Sequence, residues 1–260
     1  MIKPSHLLLG LLTYLAMLVL TIPAQQAYRW LPHAGAGPAL YGLEGTVWNG
    51  RANTAMVGLR DLGSLQWRVN PLWLPLGRLR VAWTLAGGDT TGQGVLQAGF
   101  GGRLQLPALE LNLPMGTLQG WVPTLPVALG GTLQARLHDV ALHDGHLQQV
   151  RGTLVWEQAA VEWTQPVALG ALALELAPGP GDSIQGTLKD RGGPLQVQGT
   201  VSLLNSGVLQ FVATVMPRTN ASPDLVRALH MLGAPDAAGQ YHLQWNGRVP
   251  MAGRGISARL

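Results

Sequence analysis

The stretch Arg78–Leu85 reads RLRVAWTL. Leu79, Val81, Trp83 and Leu85 fall on one side of an extended chain, and Arg78, Arg80 and Thr84 on the other. A helix would scatter these apolar residues around its circumference, so the segment is expected to be a half-buried strand. The same period of two appears in Leu65, Trp67 and Val69 against Gln66, Arg68 and Asn70, and in Leu133, Ala135 and Leu137 against Gln134, Arg136 and His138. It returns in Leu195, Val197, Val201 and Leu203, and again in Tyr241, Leu243 and Trp245.

Between these segments lie turn residues: Gly87-Gly88-Asp89, Asp144-Gly145, Pro178-Gly179-Pro180-Gly181, Arg191-Gly192-Gly193 and Asn205-Ser206-Gly207. Short turns between half-buried strands specify an antiparallel meander of roughly a dozen strands. Gly-Thr-aliphatic recurs at Gly45, Gly116, Gly131, Gly152, Gly186 and Gly199. It is expected to mark strand starts or bends, with glycine supplying the bend and the next two residues restarting the alternation. One helix is well signalled in SPDLVRALHMLG, with Ser222 as N-cap, Pro223 and Asp224 in the first turn and Gly233 as the stop. A second short helix around Met115 to Val122 is possible, though Gly116 and Gly120 argue against it. One short helix cannot cover so wide an apolar face. The sheet is therefore expected to curve into an open groove or partly closed barrel, or to dock against something else. Trp67, Trp83 and Trp245 are expected in the core, and Trp73 either in the core or dipping toward a membrane.

Only 12% of the 260 residues are charged and 47% are hydrophobic, a greasy balance for a water-soluble domain. The greasiest part is Leu7 to Ile22, LLLGLLTYLAMLVLTI, which carries no charge. At ~1.5 Å per residue it and its flanks span roughly 25–30 Å. Lys3 precedes it, and the first acidic residue after it is Glu44. Positive charge on the short N-terminal side places the N-terminus in the cytoplasm and the body across the membrane. A cleaved signal peptide would need small residues before the cut, and Ile22 or Gln25 would stand in the wrong place. The expected organisation is a cytoplasmic stub at 1–6, a transmembrane anchor at 7–23 and a periplasmic β domain at 24–260. Tyr28 and Trp30 stand where an interfacial aromatic pair would sit.

Chemistry is sparse. The chain has no cysteine, so disulfides, thiolate metal sites and a cysteine nucleophile are excluded. No G-x-S-x-G elbow occurs, and Gly92-Gln93-Gly94 lacks the third glycine of a dinucleotide loop. The few carboxylates form no acid–base pair, and an enzyme is not expected. The arginines are scattered singly rather than striped, which argues against nucleic acid and suits a solvated β surface or anionic headgroups. LHDVALHDGH is the densest polar cluster. A two-residue hairpin at Asp144-Gly145 would oppose His143 and His146, and with Asp144 these could hold Zn²⁺ or Cu²⁺; a wet hairpin tip is the simpler account.

After the anchor comes GTVWNG at Gly45–Gly50, then Leu62-Gly63, Trp67, Val69, Pro71 and Gly77-Arg78-Leu79. Met216-Pro217-Arg218 and LGAPDAAGQYHLQWNGRV (Leu232 to Val249) follow near the end. In this order the chain resembles the N protein family of the bacterial type II secretion system, over essentially its whole length, and distantly the AsmA-type envelope proteins. The resemblance implies an accessory, non-enzymatic, single-pass inner-membrane component with a periplasmic body, which assists export of folded proteins through contacts with other secretion-system subunits. It implies no cofactor and no catalytic residue. Gly45, Thr46, Trp48, Asn49 and Gly50 are then structural: Gly45 and Gly50 as bends, Trp48 as a packing anchor, Asn49 as a turn or cap. The AsmA likeness implies an alternative, lipid binding or transfer in an apolar groove, with Arg78, Arg80 and Arg136 near headgroups.

Overall fold

Alternation in the sequence becomes alternation in burial. Along β4 (Arg78–Gly87) Leu79, Val81 and Trp83 are half-buried and Leu85 is buried, while Arg78, Arg80, Ala82 and Thr84 are exposed. A computed structural model describes residues 6, 13–14, 17–30, 39–57, 60–99, 101–118, 128–143, 146–162, 166–181 and 183–248. Its strands β1 (Ala39–Gly45), β2 (Asn49–Val57), β3 (Arg60–Val69), β4, β5 (Thr90–Gly99), β6 (Arg103–Pro114) and β7 (Ala128–His143) run in order. They continue as β8 (His146–Glu162), β9 (Pro166–Pro178), β10 (Ile184–Asp190), β11 (Leu195–Leu203), β12 (Val208–Pro217) and β13 (Tyr241–Arg248). Among the described residues every strand pairs antiparallel with its neighbour in sequence, forming a single open 13-stranded sheet.

The meander was legible; the role of its punctuation was less uniform. Gly131-Thr132 sits at a register shift between β7 and β8, as a bend should. Gly186 and Gly199 lie inside β10 and β11 with no register shift. Gly116-Thr117-Leu118 is not strand at all: it belongs to the one-turn helix α2 (Met115–Leu118), which follows Pro114 and packs against β7. Over a single turn the helix penalty of one glycine is small, about 1 kcal/mol, and the packing outweighs it.

Two helices lie on the apolar side. Helix α3 (Pro223–Leu232) is capped as expected: Ser222 Oγ accepts from Leu225 N at 3.2 Å, and Gly233 follows. Leu225 and Leu229 are buried in a cluster with Leu195, Val197, Val215 and Tyr241, each contributing about 1.5–3 kcal/mol by burial. A second cluster, Val140, Val150 and Ile184, fills the middle of the sheet. The unforeseen helix is α1 (Ala24–Trp30), which packs on β1. The Tyr28 hydroxyl accepts from Leu40 N at 3.2 Å. The Trp30 side chain lies outside the described residues.

Trp245 departs from the expected core, and Trp73 lies outside it. Trp245 is 52% exposed because β13 pairs only with β12 and nothing described lies beyond it. Trp73, in the 3-10 turn Pro71–Leu76, is 41% exposed, because that turn projects from the end of the sheet rather than lying within it. Of the anchor expected at 7–23, residues 13–14 and 17–23 are described and the rest lie outside the described residues. Among those described, no helix is long and apolar enough to cross a membrane.

Candidate functional site

Gly45–Gly50 links β1 to β2 and touches two other parts of the chain. Thr46 N donates to Asn49 O at 3.0 Å, and Asn49 N to Thr46 Oγ1 at 3.2 Å, closing a tight turn. The two glycines are needed for different reasons. Gly45 has φ +83°, a left-handed value that side chains disfavour, and a Cβ there would press on the Asn49 carbonyl. A Cβ on Gly50 would collide with the Trp67 indole.

On one side this turn is tied to β3. Trp67 Nε1 donates to Val47 O at 3.1 Å, and Val69 N to Trp48 O at 2.6 Å. On the other it is tied to the N-terminal segment. Trp48 Nε1 donates to Val19 O at 2.9 Å, Val47 N to Ile22 O at 3.1 Å, and Pro23 bridges Thr46. Beside it, Arg51 holds Glu44 through Nη2 at 2.7 Å and Nε at 3.0 Å. That hydrogen bonding, with Asn53, keeps the Glu44 carboxyl below the usual carboxylate range. Both side chains are exposed, so the pair adds little stability.

Between α1 and the inner face of β1–β4 lies a hollow of about 450 Å³. Ala24, Ala27 and Tyr28 form one wall; Leu43, Leu65, Trp67 and Trp83 form much of the other, and no charged side chain lines it. The alternation along β1–β4 places these residues together. Trp67 stands opposite Trp83, and Leu65 opposite Leu85. Such a hollow suits an apolar ligand or side chain and offers nothing to a polar one.

At the far end of the sheet, Asp190 joins three segments. It accepts from Val197 N at 3.0 Å, Gly192 N at 3.2 Å and Arg218 Nη2 at 2.6 Å. Burial alone would raise its pKa, but these donors outweigh burial and hold it below the ordinary value. Asp236 shapes the approach to β13 by accepting from Ala238 N and Gln240 N, and it pairs with His242 at 2.9 Å.

The histidine hairpin forms in the expected register, with His143 opposite His146. Asp144 lies outside the described residues, and among those described no group of three or more ligating side chains could hold a metal. Sequence reasoning missed α1, whose seven residues are too few for a periodic signal, and the Trp48–Val19 and Asp190–Arg218 contacts, which join residues 29 and 28 positions apart.

Residues 36–244 match the family model described as type II secretion system (T2SS), protein N. The chain is 28% identical over 239 residues to the type II secretion system protein N of Vibrio cholerae serotype O1, covering 89% of this chain and 92% of that protein. It is 27% identical over 248 residues to the type II secretion system protein N of Aeromonas hydrophila, covering 93% and 96%. No solved structure matches the chain.

Proposed function

Since the chain belongs to the type II secretion system protein N family, we propose that it is an accessory, non-enzymatic component of such a system. It is anchored in the bacterial inner membrane by residues 7–23, with residues 24–260 in the periplasm. There the β domain supports export of folded proteins across the outer membrane by holding other secretion-system subunits.

The observation that carries this proposal is the difference between the two edges of the sheet. The β1 edge is partly covered: Tyr28 takes the Leu40 amide, and Pro23 and Ile22 take up the β1–β2 connection. The β13 edge pairs only with β12 among the described residues, and it carries the exposed Trp245. An open edge with an exposed aromatic is suited to strand addition by a partner. A photo-crosslinker at Trp245 or Asn246 in host cells tests this. Adducts with another secretion subunit are expected, and their absence at β13 alongside adducts elsewhere on the body would refute the edge as the contact.

A second function is favoured by one observation, the uncharged hollow of about 450 Å³ beneath α1. It is suited to an acyl chain, and lipid binding or transfer would use it. Phospholipid co-purifying at stoichiometric level with the chain, and lost in Leu65→Arg, would support this function; a lipid-free chain would count against it.

A further inference from the structure

The chain enters its sheet at one end of the strands, where residues 17–23 bond to the β1–β2 turn. The β3–β4 connection lies at the same strand ends, and its 3-10 turn presents Trp73 and Leu74, 41% and 40% exposed. Arg78 and Arg80 open β4, Arg103 opens β6, and Arg68 closes β3, so these four cations share that end. Arg78, Arg80 and Arg103 line a hollow of about 490 Å³ together with Trp73. None of the four has a carboxylate partner among the described residues. The described acids toward this end are Glu44, already held by Arg51, Asp139 in the body of β7 and Glu175 in β9.

The opposite strand ends differ in charge. Asp61, Asp89, Glu162, Asp190 and Asp236 lie there; Arg191, Arg218 and Arg227 are each paired to an acid, and Arg60 and Lys189 are the further described cations. The body therefore has a basic, aromatic end where the anchor joins it and a more acidic end away from it. Arginines beside an exposed tryptophan suit an anionic bilayer surface, the cations meeting headgroups and the indole entering the interface.

We propose that this end of the sheet docks on the anionic surface of the membrane that holds the chain, with Trp73 and Leu74 in the headgroup layer and Arg68, Arg78, Arg80 and Arg103 on phosphates. The strands then stand away from the bilayer, and the acidic end faces the periplasm. This docking rests on the anchored topology proposed above.

Because the chain has no cysteine, single probes can be placed cleanly. Leu18→Cys, Leu74→Cys and Ala238→Cys are each labelled with a fluorophore in the full chain. The labelled chains are reconstituted into nanodiscs of phosphatidylcholine with or without phosphatidylglycerol, carrying a nitroxide-labelled lipid as quencher. The expected result is quenching at 18 and 74 but not at 238, with quenching at 74 several-fold stronger in anionic discs. Arg78→Glu, Arg80→Glu and Arg103→Glu together should abolish the anionic gain at 74 and leave 18 unchanged. Quenching at 18, with 74 no different from 238, would overturn the docking and leave the anchor standing. No quenching at 18 would overturn the anchor and the docking together. Equal quenching at 74 in both lipids would overturn the role of the arginines.

Discussion

The indole nitrogen of Trp48 donates a hydrogen bond to the main-chain carbonyl of Val19, 2.9 Å away and 29 residues earlier in the chain. It fastens the N-terminal segment to the turn that starts the sheet, and Val47 N to Ile22 O adds a second bond beside it. The tryptophan of the GTVWNG word thus links segment to body, where the sequence suggested only a packing anchor.

Trp48→Phe keeps the ring and removes the donor. The expected loss is about 0.5–1.5 kcal/mol, confined to that attachment. Hydrogen exchange should quicken across 17–30 and stay unchanged in β7 and β8. Unchanged exchange at 17–30 would show that the bond contributes nothing.

Gly63 has φ +92°, and a Cβ on it would overlap the Gly87 main chain on the neighbouring strand. Gly99 has open space around the position of its missing Cβ and no unusual φ. Chemical denaturation of the detergent-solubilised chain should therefore show Gly63→Ala less stable by about 2 kcal/mol or more, with Gly99→Ala close to neutral. Equal effects would contradict the close approach of β3 and β4.

Asp190 carries a pH dependence. Its folded carboxyl lies below the ordinary value, so its contribution is present above the unfolded pKa and is lost as pH falls through the folded one. Asp190→Asn should lose about 1–3 kcal/mol at neutral pH and flatten the acid side of the stability curve. A variant as acid-sensitive as the parent would place that sensitivity elsewhere.

Ser222→Ala removes the side-chain acceptor for Leu225 N and should cost about 1 kcal/mol, with Ser222→Asp largely neutral. Melting temperatures of the two variants distinguish a cap from a passive surface serine.

Much of the fold was legible because half-buried strands leave no freedom about which side faces water. Arg78–Leu85, Leu195–Leu203 and the Ser222–Gly233 helix could be placed from residue type alone. What could not be placed depended on position within the sheet. Trp245 alternates like a core residue, yet among the described residues its strand is the last in the sheet and no neighbour buries it. Ala24, Ala27 and Tyr28 are too few to announce a helical face, and their burial comes from the sheet they meet. Of the GTVWNG word, the glycine bend at Gly45 was readable from residue type; the collision at Gly50 requires knowing that Trp67 lies across from it.

The central claim is a role in type II secretion, and loss of the gene in its host tests it most directly. Proteins of the medium and of the periplasm would be compared, alongside a dye measurement of outer-membrane permeability. Folded exoproteins retained in the periplasm behind an intact outer membrane are the expected result. Normal secretion with a leaky envelope would contradict the claim and favour the lipid-handling function instead.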